Sequence, residues 1–268
     1  MRTNYRTSVV RSERLTPELV RVVLHGEELA EFPDTAFTDR YVKLMFPKSD
    51  TPMGPEVEFY ALPPEQRPVF RTYTVRAFDP DALELTIEFV THGEAGVAGP
   101  WAAAAKPGDQ LLISGPGGGY RPAPDVDLHL LVGDESALPA IASAVEALPH
   151  GARAVLVAEV EHADHQIAFA VPDGVVVDVH WLHRADGGGP DVLLDAVVGL
   201  ELPEGATVQP FVHGELLVVR AIKRHLLDVR GIDPARCSAS GYWRRGKDED
   251  GFQAEKRALA AEEKAAAG

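Results

Sequence analysis

Cysteine is nearly missing from this 268-residue chain, since Cys237 stands alone. That excludes an internal disulfide framework and an iron–sulfur cluster held by the chain's own thiolates, and it suits a reducing compartment. Basic residues are scarce as well. Lys and Arg total 26 against 41 Asp and Glu, a formal net charge of −15. A nucleic-acid partner is therefore not expected, because a phosphate backbone needs a basic face. An anionic substrate would have to be received by a local basic patch against the overall field. No apolar run approaches the roughly 20 residues needed to cross a bilayer, and Met1-Arg2-Thr3-Asn4-Tyr5-Arg6 lacks the apolar stretch of a secretory signal. The expectation is a cytoplasmic protein with no membrane insertion. None of the ten histidines pairs with an acid at helix-ligand spacing, and no catalytic triad is visible, so neither a metal site nor an acid–base residue is expected.

What is present is ordinary in amount and informative in order. Hydrophobic residues at 45% and charged residues at 25% suit a globular protein long enough for two modest domains. The first part reads as strands: Tyr5 to Val10, Leu19 to Leu24, Tyr41 to Phe46, Arg71 to Phe78, Leu83 to Val90 and Gln110 to Ile113 are rich in β-branched and aromatic residues. Six strands with one short helix near Trp101 predict a small antiparallel barrel. The stretch from Pro47 to Pro68, rich in proline and charge, is long for a connection, and loops of that length are functional or mobile. After Gly115-Pro116-Gly117-Gly118-Gly119 the pattern changes. Strands at Leu128 to Val132, Val155 to Val160, Val175 to Leu182, Thr207 to Val212 and Cys237 to Trp243 alternate with helices at Ala137 to Leu148, Val192 to Val198 and Glu215 to Val229. That alternation predicts a parallel sheet covered by helices. The expected fold class is thus β barrel plus α/β, with domains at 1–120 and 125–246 and an Ala/Glu/Lys-rich helical tail over 247–268.

Two segments carry the chemistry. Arg71-Thr72-Tyr73-Thr74-Val75-Arg76 alternates along a strand, so a cation, a phenol and hydroxyls are packed closely. About twenty residues on, His92-Gly93-Glu94-Ala95-Gly96-Val97-Ala98-Gly99-Pro100-Trp101 is a glycine-rich turn entering a helix, whose first amides can receive an anion. Each alone also fits an ordinary strand or turn. Together they suit a flat heterocycle with a pyrophosphate tail, which describes FAD.

With Gly133-Asp134-Glu135-Ser136-Ala137-Leu138-Pro139-Ala140 and Gly241-Tyr242-Trp243-Arg244-Arg245-Gly246, these segments resemble the siderophore-interacting proteins, FAD-dependent ferric-siderophore reductases of the ferredoxin–NADP reductase superfamily. The resemblance covers nearly the whole chain. It implies that 1–120 is an FAD-binding barrel and 125–246 an NAD(P)H-binding domain. It implies further that Tyr73 packs on the isoalloxazine, Arg71 pairs with the pyrophosphate and Thr74 bonds near the reactive ring edge, while His92, Gly93, Val97 and Ala98 line the diphosphate turn. Such proteins commonly read Gly-Pro-Ala-Ser-x-Trp at that turn, whereas this chain has Gly96-Val97-Ala98-Gly99-Pro100-Trp101, so hydroxyl help to the phosphate is missing.

Gly133, Asp134, Glu135 and Ser136 fall in the expected NADPH or NADH site, although on chemistry alone the two acids read as a helix cap. Trp243 lies where the nicotinamide side is approached, and equally suits an anchor for the tail. Arg184 is either a contact for a 2′-phosphate or a solvated loop charge. Lys43, Arg121 and Arg245 are the expected cations for a ferric siderophore. The implied reaction passes hydride from NAD(P)H to FAD and single electrons to ferric ion, with no catalytic side chain. The alternatives are a ferredoxin-fed or general flavin reductase, or a non-catalytic siderophore-binding flavoprotein.

Overall fold

A computed structural model describes residues 3–48, 50–91, 93, 96–187 and 189–266. The chain divides into two compact units, one running to Arg121 and the other from Pro122 onward, with only Ala142–Ala144 grouped otherwise.

The first unit is a closed barrel of six antiparallel strands: β1 (Asn4–Thr16), β2 (Leu19–His25), β3 (Tyr41–Phe46), β4 (Val69–Asp79), β5 (Glu84–Val90) and β6 (Gln110–Gly117). Their order around the barrel is β1-β2-β5-β4-β3-β6. Alternation explains the interior. Tyr5 and Val9, Val42 and Leu44, and Leu85, Ile87 and Phe89 all point inward and are buried together. A helix, α1 (Ala98–Ala104), adds Ala98 and Ala102 to this core. β1 runs six residues beyond the expected Val10, because its exposed stretch Arg11 to Arg14 shows no apolar alternation and is held by hairpin pairing with β2. Part of the long 47–68 connection is packed down. Val57, Phe59 and Leu62 pack on Met45, Leu112 and Phe70 as a satellite core on the barrel's outer wall.

The second unit is a five-stranded sheet of β7 (Leu128–Asp134), β8 (Arg153–Val160), β9 (Val176–His183), β10 (Val208–Glu215) and β11 (Ser238–Trp243), in the order β11-β10-β7-β8-β9. Every neighbouring pair is parallel. The chain builds β7, β8 and β9 outward in one direction and then returns to the other side of β7. The reversal point therefore lies between β7 and β10, where parallel sheets of this kind open a crevice at their carboxyl ends. Helices α2 (Leu138–Glu146), α3 (Val192–Val198) and α4 (Leu216–Arg224) follow β7, β9 and β10. Leu193 and Val197 of α3, and Val219 and Ile222 of α4, bury against Val132, Val157 and Val212 of the sheet. The helix expected to run to Val229 widens after Arg224, where the Arg230 N–H bonds to the His225 carbonyl five residues back, and Leu226 stays buried. The tail forms α5 (Glu249–Ala266), seated by buried Phe252 and by Lys256, whose ammonium donates to Ser240 Oγ at 2.9 Å and the Gly241 carbonyl at 2.8 Å. Among the described residues, no helix is long and apolar enough to cross a membrane.

Candidate functional site

In the first unit the site begins where two strands part. β4 pairs with β3 from Val69 to Thr74, but its registered pairing with β5 covers only Val75 to Asp79. A bulge between Val75 and Ala77 marks the change. The Arg71-to-Thr74 stretch thus lies along the part of β4 that β5 does not cover.

Aromatic packing props this stretch from behind. Tyr73, opposite Val42 on the inner face, lies against Phe89 with ring centroids 4.5 Å apart. Phe89 also meets Trp101 of α1 at 5.7 Å, and Trp101 meets Phe46 at 5.8 Å. One buried ring thereby joins the motif strand to the helix after the glycine turn. The helix start is held close as well, since a Cβ on Gly99 would lie 3.5 Å from Thr91 Cα and the Val90 carbonyl.

The expected flavin residues are distributed as follows. Arg71 is half-buried and donates from Nη1 to the Phe70 carbonyl at 2.8 Å, which uses one of a guanidinium's five N–H groups. Tyr73 is half-buried and Thr74 buried, on opposite faces of the strand. Gly93 is exposed with φ +58°, Val97 is exposed, and Ala98 turns its methyl into the barrel core, so any help from Ala98 comes from its backbone. The helix opens at Ala98 rather than Trp101, and Pro100 in its first turn has no N–H to offer. His92 lies outside the described residues. A propped aromatic face beside a guanidinium with donors to spare suits a flat ring carrying a pyrophosphate, so the donor set fits FAD. The other motif arginine is already committed: Arg76 lies 3.8 Å from buried Glu88, which Arg21 also holds, at 2.5 Å.

Of the expected siderophore cations in this unit, Lys43 lies opposite Thr72 and Ser114, on the outer face, away from Tyr73 and Arg71. It is therefore not a charge in the core, and simple alternation accounts for its place in an apolar strand. Arg121 is exposed after the triple glycine, where Asp39 accepts from the Gly119 and Tyr120 N–H groups at 2.8 and 2.9 Å.

In the second unit the carboxyl ends of β7 and β10 meet at Asp134. This buried carboxylate accepts from the Ser136 N–H at 2.9 Å, the Ser136 hydroxyl at 2.5 Å, the Glu215 N–H at 2.8 Å and Trp243 Nε1 at 2.7 Å. Burial pushes its carboxyl above the ordinary range, and the Ser136 and Trp243 bonds pull against that. The close approach needs glycine: at Gly214, φ is +141° and a Cβ would fall 2.5 Å from Asp134 Oδ2. Glu215 caps α4 by accepting from the Leu217 and Val218 N–H groups at 2.7 and 3.0 Å, as expected for a carboxylate at a helix start. Its other oxygen accepts from Arg244 Nη1 and the Arg245 N–H, each at 3.1 Å. Gly133, Asp134, Ser136 and Trp243 are thus brought together, with Trp243 still 38% exposed. The Arg245 side chain is exposed.

Beside them lies an ion cluster that no spacing rule announced. Arg184 donates from Nη1 and Nη2 to Glu135 at 2.8 and 2.5 Å, from Nη1 to Glu159 at 3.3 Å and from Nε to Glu161 at 2.9 Å. Arg184 is consequently not a solvated loop charge, for its side chain is only 26% exposed and three carboxylates share it. The neighbouring carboxylates raise its already high pKa further, against the opposing effect of burial, which is the largest single influence. Glu215, Glu159, Glu161 and Phe89 went unremarked in the sequence because their partners are distant in the chain. The only local hint was Glu215, an acid directly before a helix.

A family model described as the siderophore-interacting FAD-binding domain matches residues 8–120, and a second, described as siderophore-interacting protein, matches residues 126–246. The chain belongs to the siderophore-interacting protein family. Among its relatives, the ferric vibriobactin reductase ViuB of Vibrio cholerae is 34% identical, over 95% of this chain and 94% of that protein. The NADPH-dependent ferric-chelate reductase of Escherichia coli is 32% identical, over 88% and 91%. A solved siderophore utilization protein from T. fusca is 35% identical, covers 92% of this chain and 95% of its own, and superposes with a TM-score of 0.79.

Proposed function

We propose that the protein is an NAD(P)H-dependent ferric-siderophore reductase of the cytoplasm. The observation that carries this reading is the uncovered stretch of β4, where Arg71 and the Phe89-backed ring of Tyr73 stand together in the segment matched by the FAD-binding model. Bound FAD would supply the ability to take up a hydride pair and return electrons singly. Arg71 would grip the pyrophosphate with its forked, permanently charged head. Tyr73 would give the ring a flat support that cannot retreat, because Phe89 fills the space behind it. Thr74 and the backbone of Gly93, Val97 and Ala98, together with His92, would complete the grip. Residues 1–120 form the flavin unit in this reading, 125–246 take NAD(P)H at the Gly133-to-Ser136 turn beside Trp243, and 247–268 are a tail. Lys43, Arg121 and Arg245 would draw in an anionic iron complex. Ferric ion is held by hard oxygen donors that bind ferrous ion far more weakly, so reduction alone releases the metal from an intact carrier. Ferredoxin is a poorer donor on charge grounds, because the −15 chain would repel an acidic partner.

The test is a visible spectrum of the purified protein, then anaerobic addition of NADH or NADPH and of a ferric siderophore with a ferrous-ion indicator. Yellow protein that bleaches with a nicotinamide and yields ferrous ion agrees with the proposal. Colourless protein that stays so in excess FAD refutes it. Bleaching only by reduced ferredoxin replaces the donor.

A further inference from the structure

The ion cluster of the second unit bears on which dinucleotide this unit accepts, an inference that rests on its reading as a nicotinamide-dinucleotide site. In parallel sheets of this topology the adenosine ribose lies near the end of the strand after the first crossover. An acid there reads the free 2′-hydroxyl, whereas an arginine accommodates a 2′-phosphate. Here that strand is β8, which ends in Glu159 and Val160 and is followed by Glu161. The arginine that reaches this end is Arg184, and it is already taken. Glu135 grips it through two N–H groups, Glu159 and Glu161 through two more. Three carboxylates and one guanidinium leave the cluster at a formal −2 (three negative charges against one positive). A 2′-phosphate would bring about two further negative charges to the same place. Four of the five N–H groups of Arg184 are engaged, so a 2′-phosphate would find at most one donor there and would sit against three carboxylates, of which Glu159 is fixed within β8. Even a proton on Glu159, whose carboxyl burial raises, leaves the cluster negative and Arg184 engaged. Glu161 is differently placed. Its side chain is 40% exposed, and only one of its oxygens faces Arg184 in the bond described, so the other can accept from a ribose hydroxyl.

We propose that the second unit selects a dinucleotide with an unphosphorylated adenosine ribose, NADH over NADPH. Glu161 reads the 2′-hydroxyl, and Glu135 and Glu159 withhold Arg184 from a phosphate. Two measurements on the flavin-loaded full chain separate this from the reading beneath it. Stopped-flow flavin reduction should show the rate-to-affinity ratio for NADH at least about tenfold above that for NADPH, the size of one hydrogen bond to a charged group. Calorimetry should show 5′-ADP binding at least about tenfold more tightly than 2′,5′-ADP. In Glu161→Gln both gaps should narrow, chiefly by weaker NADH and 5′-ADP binding, with an unchanged flavin spectrum. NADPH performing as well as NADH, or 2′,5′-ADP binding as tightly as 5′-ADP, overturns the inference. If neither nicotinamide bleaches the flavin yet 5′-ADP is preferred, the donor assignment falls and the ribose selectivity stands. Failure of both analogues to bind overturns the two together.

Discussion

His213 is the residue whose removal should most clearly change how stability depends on pH. It lies on β10, stacked on Phe211 at 3.9 Å and edge-on to Tyr242 at 4.9 Å, with Nε2 3.1 Å from Ser238 Oγ and no partner for Nδ1 among the described residues. Burial, helped by the nearby Lys256 ammonium, lowers its pKa from 6.5 to about 3. The sign follows directly. The unfolded chain takes up a proton that the folded chain cannot, so the stability tied to a neutral His213 is full above the unfolded value and is lost as pH falls toward the folded one. Between pH 8 and pH 5 this single group should cost about 2 kcal/mol, a figure that hardly changes for any folded value below ~4. His129 and His225 shift in the same direction, so the wild type alone cannot isolate the effect. His213→Phe can, because a phenyl ring retains both stacking contacts and gives up only the Ser238 bond. Urea unfolding of both proteins at pH 8 and pH 5 should show the wild type losing about 2 kcal/mol more than the variant. Equal losses, or an imidazole resonance assigned to His213 that titrates near its ordinary value in the folded protein, would refute the reasoning.

Three more expectations can be checked on purified variants. Arg71→Ala should fold with an unchanged melting temperature yet bind FAD roughly 10- to 100-fold more weakly, the worth of one charge-assisted pair, as read by flavin titration. Phe89→Ala should lose about 3–5 kcal/mol in chemical denaturation and also loosen FAD, because it opens a cavity under Tyr73 and Trp101 together. Asp134→Asn places an amide among four donors, of which its one oxygen can satisfy only some. Buried donors left without acceptors should lower stability by about 2–5 kcal/mol, and a variant within 0.5 kcal/mol of wild type, roughly the noise of such comparisons, would show that Asp134 already carries a proton in the fold.

The barrel was legible because its strands obey a local rule. Tyr5-to-Val10 and Tyr41-to-Phe46 alternate, and alternation is all that an inner and an outer face require. The parallel unit was legible for a similar reason, with apolar strands such as Leu128 to Val132 followed by amphipathic helices such as the one carrying Val219 and Ile222. The polar half of β1 was missed because Arg11 to Arg14 have no buried face, and only the register with β2 makes them a strand. The satellite core beneath the 47–68 connection was missed because Val57, Phe59 and Leu62 follow no period. In the site, Arg71 and Tyr73 could be found from one segment. Asp134 could not be understood that way, since its donors Glu215 and Trp243 come from strands far along the chain, and the same holds for Arg184 and Glu135.

The barrel's seam has a bearing on how the protein is made. β1 completes the cylinder by pairing with β6, Tyr5 facing Ile113 and the Thr7 hydroxyl donating to the Leu111 carbonyl at 2.7 Å. The first strand of this unit to be synthesised therefore waits for the unit's last strand, β6, before its second edge is paired. During translation Tyr5 and Val9 stay open to water and to neighbouring chains, and non-local closure of this kind is slow. A truncation before Gln110 would leave an open five-stranded sheet with β1 and β3 as unpaired, sticky edges.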